Sequence, residues 1–241
     1  MHRKLFYGQV GRTSRLLPFF TYFGGKHSFV HWYPPPLHDS IVEPFAGSAA
    51  YSLLHGEHRQ VLLVDANPVV VGTWEFLIRS DPSDIMALPV GVKHADELKC
   101  CQEARWLIGW WWKKGETKPS NLDYPRLITH RDSRWTVITK QRIARQVSRI
   151  KHWKVRLSDY AEVRNKNATW FIDPPYERSG RNYPCKVADR ADLADWCKSR
   201  CGQTIVCEQS GASWLPFRVL GSVRTVRGTA RGTETVWYKE R

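Results

Sequence analysis

Asp173-Pro174-Pro175-Tyr176 stands directly behind the apolar run Thr169-Trp170-Phe171-Ile172. Consecutive prolines stop a sheet and stiffen the loop that follows. The carboxylate before them is an anionic acceptor, the Pro174 carbonyl is a second acceptor, and Tyr176 offers a stacking face. This trio suits a planar ring that carries an amino group. The ring would stack on Tyr176, and its two amino hydrogens would go to Asp173 and to the Pro174 carbonyl. Such an amine is a weak nucleophile, because its lone pair is delocalised into the ring. Two acceptors favour a pyramidal nitrogen and stabilise positive charge as it attacks a methyl group. The plainer reading is a Pro-Pro turn after a strand.

Three further constellations could serve a ligand. Glu43-Pro44-Phe45-Ala46-Gly47-Ser48-Ala49-Ala50 is a turn of small residues after an apolar strand. Such a turn lets backbone approach a ligand at a helix N-terminus. It is neither a phosphate loop nor the full dinucleotide fingerprint. Asp65-Ala66-Asn67 ends the next apolar run, where an acid suits a ribose diol or caps a helix. Tyr22-Phe23-Gly24-Gly25-Lys26 is a glycine loop with a lysine.

The elements that must carry these residues follow from periodicity. Ser40-Ile41-Val42 and Val61-Leu62-Leu63-Val64 read as strands, with a helix over Ser48 to His55 between them, which is a βαβ unit. A second zone, residues 68–153, opens with a helix near Val69 to Ile78. It holds Trp106 and Trp110-Trp111-Trp112, which we expect to be the core of this zone rather than a platform for stacking bases. It closes with a basic amphipathic helix whose apolar face is Ile143, Val147 and Ile150 and whose other faces carry Lys140, Arg142, Arg145, Arg149 and Lys151. The third zone, residues 154–241, returns to strands at Lys154 to Leu157, Thr169 to Ile172 and Thr204 to Cys207. Asp189 caps a predicted helix that ends before Gly202, and Arg218 to Tyr238 reads as a hairpin. Strands ending in Asp65, Asp159 and Asp173 predict an open α/β sheet with its ligand at the carboxyl ends. The division expected is a catalytic domain in two parts, 1–67 and 154–241, with 68–153 inserted.

The chain has 241 residues, with 37 basic against 23 acidic side chains, for a net charge of +14. A folded protein so charged repels itself, and a polyanionic partner is the simplest reason to keep the surplus. Nucleic acid is favoured over a membrane surface, since no basic amphipathic helix stands at a terminus. No stretch nears the ~20 apolar residues of a membrane span, and no signal peptide is recognised. With six cysteines and no export signal, reduced thiols in a cytoplasm, bacterial or of a phage-infected host, are expected. No metal site is expected, because Cys185, Cys197, Cys201 and Cys207 lack a following His.

Taken in order, Gly24-Gly25-Lys26, Glu43-Pro44-Phe45-Ala46-Gly47, Asp65-Ala66-Asn67, a long insertion and Asp173-Pro174-Pro175-Tyr176 resemble the Dam-like DNA adenine-N6 methyltransferases. The likeness spans about 150 residues of the flanking zones. The tail Glu234-Thr235-Val236-Trp237 looks like phage-borne members. The resemblance implies a Rossmann-like S-adenosylmethionine-dependent methyltransferase sheet with helices on both faces and an inserted, mostly helical target-recognition lobe. By resemblance, Tyr22, Gly24, Gly25, Lys26, Glu43, Phe45, Gly47, Asp65, Asp159 and Asp173 serve S-adenosyl-L-methionine. Tyr22 and Lys26 would contact it, Phe45 and Gly47 would line its methionine end, Asp65 would take the ribose, and Asp159 would lie near its adenine. Asp173, Pro174 and Tyr176 would be catalytic, acting on an adenine flipped from the duplex. Two departures stand out. Ala49 replaces the family's second turn glycine, and modest crowding is expected there. Thr21 stands where a basic residue is frequent.

Double-stranded DNA is the expected partner of a monomer, or of a dimer on DNA. Candidate phosphate contacts are Lys113, Lys114, Lys118, Arg126, Arg131, Arg134, Arg142, Arg145 and Arg149 in the insertion, and Arg224, Arg227 and Arg231 in the hairpin. For any one of them, a solvated surface charge is the plainer reading. Ser179 to Lys186 is expected to cover the target base. Cytosine-N4 methylation, which commonly uses Ser before Pro-Pro, and methylation of RNA or of a protein glutamine are the enzymatic alternatives. A catalytically silent DNA-binding module is the non-enzymatic one.

Overall fold

Four apolar runs supply the centre of a seven-stranded, mostly parallel sheet. In the computed structural model these are β1 (Ser40–Glu43), β2 (Gln60–Asp65), β4 (Ala168–Ile172) and β5 (Gly202–Gln209). β3 (Lys154–Leu157), β6 (Arg218–Arg224) and β7 (Arg231–Lys239) complete it in the order β3-β2-β1-β4-β5-β7-β6. The structure describes residues 15–113, 115–122, 135–177, 183–224 and 231–240, without the side chains of 223, 224 and 231. β1 to β5 pair in parallel, and β7 runs antiparallel to both β5 and β6. Strand β3 is the edge. Its Lys154 and Arg156 are exposed, which discourages further pairing.

Buried parallel strands must be apolar on both faces, because both are covered. Neighbouring residues accordingly enter different cores: Ile41 and Leu63 pack into one, Val42 and Val64 into the other. On the first face lie α1 (Ala50–His55), α2 (Pro68–Arg79), α4 (Gln102–Trp112) and α5 (Val137–Val147). On the second lies α6 (Arg190–Ser199), through Leu193, Ala194 and Cys197. The short α3 (Pro82–Ala87) packs against α5. Asp189 caps α6 as predicted, accepting from the backbone N–H of Ala191 and Asp192.

Three of the four tryptophans of α4 are core, and Trp106 departs from the expectation, being half-buried. Trp110, Trp111 and Trp112 are all buried, and they share one cluster with Ile41 and Leu63 of the sheet. The helices of 68–153 therefore build on the sheet face. Lys140 departs from its predicted place on the polar face of α5. Its ammonium is buried and donates to the Leu88 carbonyl at 2.6 Å, tying α5 to the end of α3. Among the described residues no helix is long and apolar enough to cross a membrane.

The chain runs from β1 outward to β2 and β3, then crosses to the other side of β1 for β4 and β5. The order reverses between β1 and β4. In open α/β sheets the ligand crevice lies outside the carboxyl ends of the strands at such a reversal.

Candidate active site

A cleft opens at that point. It holds about 840 Å³ of space continuous with solvent. Its walls bring together Tyr22, Gly24, Gly25, Lys26, Glu43, Phe45, Gly47, Asp65, Asp159 and Asp173, every position that the resemblance assigns to the cofactor. Of the Asp173–Tyr176 turn, Asp173 and Pro175 line the cleft, Pro174 is buried, and Tyr176 is half-buried beside it.

The glycine turn is fixed from four sides. The Ala46 N–H donates to the Val64 carbonyl, the Gly47 N–H donates to Asp65 Oδ2 at 3.0 Å, and the Trp74 indole donates to the Gly47 carbonyl at 2.8 Å. His27 Nε2 lies 3.0 Å from Ser48 Oγ. Gly47 has φ +44, and a Cβ there would meet the Tyr22 ring at 3.1 Å, so both conformation and space require glycine. At Ala49 the backbone adds a cost beyond the expected crowding. Ala49 sits in the left-handed region at φ 50, so the cost of lacking glycine is backbone strain, about 1 kcal/mol.

Asp65 holds this turn and the next helix together. Besides Gly47 it accepts from the Asn67 N–H at 2.9 Å, while Asn67 itself caps α2 through Val69 N. The helix cap is thus Asn67, which leaves Asp65 facing the cleft. Each Asp65 oxygen keeps a free acceptor site. Burial pushes its pKa up to about 6, against the pull of the two backbone N–H groups. Glu43 is more deeply engaged. It accepts from the Ser52 N–H at 2.7 Å in the first turn of α1, and burial pushes its pKa up to about 8. Asp159 caps the 3-10 helix Tyr160–Glu162 through Ala161 N at the rim of the cleft. Beside it the Phe45 and Tyr160 rings lie 5.3 Å apart, 30° from parallel.

Lys26 does what its sequence position does not reveal. Its side chain is 5% exposed, and its ammonium lies 2.7 Å and 2.8 Å from the two oxygens of Asp173 and donates to the Gly24 carbonyl. It also sits 4.6 Å from the centre of the Tyr176 ring. Burial alone lowers a lysine pKa, but Asp173 and Glu234 more than offset this, and the ammonium is held above its usual range. Burial raises the Asp173 carboxyl, opposed by Lys26 and by the Tyr176 hydroxyl.

The Asp173–Tyr176 turn is clamped by two buried carboxylates that the motif does not contain. Glu234 of β7 accepts from the Tyr176 hydroxyl and from the Tyr33 hydroxyl, the latter at 2.6 Å. Glu208 of β5 accepts from the Trp214 indole and lies 4.0 Å from Arg190, which donates to the Pro175 carbonyl. A signal for Glu234 was present: it shares strand parity with Val236 and Tyr238, which pack inward, so its charge needs a partner. Tyr160 was also overlooked, though it follows a strand-end acid. Of Ser179 to Lys186, the described part is Tyr183 to Lys186. Tyr183, Pro184, Cys185 and Lys186 line the cleft, and the Tyr183 hydroxyl donates to the Phe23 carbonyl.

The basic candidates divide. Arg142 is pinned inside, donating to the Pro18 carbonyl and covering the Trp111 ring at 4.9 Å. Arg149 grips Glu57 at 2.5–2.6 Å, and Lys113 pairs with Glu116 at 2.9 Å. Arg145 and Lys118 are exposed. Lys114, Arg126, Arg131, Arg134 and Arg227 lie outside the described residues, as do the side chains of Arg224 and Arg231. Among the described residues no His, Cys, Asp or Glu grouping could hold a metal ion. Comparison with protein-family models and with curated proteins yields no match.

Proposed function

We propose that the chain is a DNA adenine-N6 methyltransferase with a Rossmann-like catalytic domain, using S-adenosyl-L-methionine. One observation carries this reading. The acids that end β2, β4 and the segment after β3 converge with the Gly47 turn on one switch-point cleft, and the Tyr176 ring adjoins Asp173 at its edge. The walls fit the cofactor's chemistry. Asp65 offers free acceptor sites for a ribose diol, and Phe45 and Tyr160 offer faces for a base. The acids outnumber Lys26 and Lys186, and Lys26 is already spent on Asp173, which suits a cationic ligand. When bound, that cofactor supplies an electrophilic methyl group.

The chain's own residues do the rest. Lys26 fixes the Asp173 carboxylate, and each oxygen keeps an acceptor site for an amino hydrogen. Tyr176, anchored at its hydroxyl, offers its ring to a base that has left the duplex. Arg190 and Glu208 hold the Pro175 carbonyl and so the loop that presents Pro174. Positioning and charge complementarity supply most of the rate. The surplus charge and exposed Arg145 and Lys118 favour duplex DNA over a protein substrate. Asp173 before Pro-Pro favours adenine over cytosine.

The test uses methyl-labelled S-adenosylmethionine with DNA, and Asp173→Ala beside the wild type. The variant should bind the cofactor in a calorimeter and transfer no label. Label transfer by Asp173→Ala within tenfold of the wild type would refute the assignment.

A further inference from the structure

In the cleft, Lys26 touches both oxygens of Asp173. Asp173 and Lys26 by themselves form a neutral pair. A neutral pair is poorly suited to an amine that becomes cationic as it reacts. A second carboxylate, Glu234, acts on the same ammonium and is joined to it through Tyr176, which lies under Lys26 and donates to Glu234. It lies on β7, which pairs with β5, and only 5% of it is exposed. Its carboxylate accepts from the Tyr176 and Tyr33 hydroxyls, and its field raises the Lys26 ammonium. Two carboxylates then surround one ammonium.

We propose that Glu234 is a positioning residue of the methyl-transfer site, which anchors the Tyr176 ring and keeps the Asp173–Lys26–Glu234 cluster at one net negative charge. This rests on the methyltransferase reading above. In the transfer step the amine nitrogen bonds to the methyl carbon, and the carbon–sulfur bond breaks with its electron pair left on sulfur. The nitrogen gains the positive charge and releases one proton to the Asp173 carboxylate, which passes it to water. The cluster is anionic while positive charge builds on nitrogen, and neutral once it holds the proton. Without the charge of Glu234, the same cluster starts neutral.

The surroundings of Glu234 fit this role. Tyr33 packs edge-on against Phe171 at the end of β4, and so links Glu234 to the strand that bears Asp173. The charged and titratable groups around the carboxylate are Lys26, Asp173, Tyr176, Tyr33 and Cys207. Burial raises the Glu234 carboxyl, and Asp173 adds to this, while Lys26 and the two tyrosines oppose it.

The experiment compares steady-state methylation of DNA by wild type and Glu234→Gln. Glutamine keeps the acceptor oxygen for both tyrosines and removes the negative charge, and folding is checked by circular dichroism. Glu234→Gln should lower kcat roughly 10- to 100-fold and leave KM for DNA and cofactor within about threefold. The pH profile of kcat is a second readout. The acid limb of the wild type should move to lower pH in Glu234→Gln, because Asp173 then no longer faces a second carboxylate. A merely structural role would leave that limb in place. A kcat for folded Glu234→Gln within about twofold of wild type, or an acid limb at the same pH in both proteins, overturns the proposal. A wild type that transfers no methyl overturns the functional reading together with this role. An active wild type with an unaffected Glu234→Gln overturns this role alone.

Discussion

Lys26→Met removes the one cation that, among the described residues, faces Asp173 at hydrogen-bond distance. The Lys26 side chain is 5% exposed and that of Asp173 is 21% exposed. Breaking a buried ion pair from one side costs about 3–5 kcal/mol, because the remaining charge is left without a partner. The Tyr176 hydroxyl and partial exposure of Asp173 put the expected loss at the lower end, about 3 kcal/mol near pH 8. In a chain of this size that lowers Tm by roughly 6–12 °C. The loss must depend on pH. Burial already raises the Asp173 carboxyl and Lys26 pulls it back, so the variant raises it further. A folded-state carboxyl held above its unfolded value favours folding at low pH and loses that contribution as pH rises through its folded pKa. The destabilisation should therefore shrink as the pH is lowered toward ~5 and Asp173 is increasingly protonated. Urea unfolding followed by circular dichroism at the two pH values measures it. A loss below about 1 kcal/mol near pH 8, or an equal loss at both, would refute the pairing argument.

Asp65 has its pKa pushed up to about 6, and it must be ionised to accept from a ribose diol. Cofactor affinity measured by calorimetry should therefore fall about tenfold per pH unit below about 6, and Asp65→Asn should be weak and flat over that range. Ala49→Gly relieves a left-handed alanine and should raise stability by about 1 kcal/mol, seen as a rise of roughly 2–4 °C in Tm; a fall in Tm would contradict the strain. Arg145→Ala should weaken DNA binding on all sequences and lower the salt slope by about one, as a phosphate contact does. Arg142→Ala should instead cost stability, about 1–2 kcal/mol, through the lost Pro18 and Trp111 contacts, and a pure change in DNA affinity would contradict that division.

The sheet centre was legible because buried parallel strands write themselves as apolar runs. Ile41-Val42, Leu62-Leu63 and Phe171-Ile172 each end in an acid or a turn signal, so strand and ligand end could be read together. Asp189 was legible as a cap for the same local reason. The residues that complete the site were not. Lys26 meets Asp173 across 147 positions, and Glu234 meets Tyr176 across 58. Such meetings depend on the pairing of β7 with β5 and on where the Gly24 loop lands, which no local pattern encodes. Lys140 reads as a solvent-facing residue on an amphipathic helix until α3 arrives to accept from it. The strain at Ala49 is a backbone property, invisible in a residue that is small and apolar. Tryptophans 110 to 112 suggested a core of their own, and the structure merges them with Ile41 and Leu63 of the sheet in one cluster.

The most direct measurement digests DNA to nucleosides after incubation with the chain and methyl-labelled S-adenosylmethionine, then identifies the labelled species by mass spectrometry. The account predicts labelled N6-methyladenine from duplex DNA with the wild type and none with Asp173→Ala. Label in N4-methylcytosine, in RNA or protein alone, or in no product at all would contradict it.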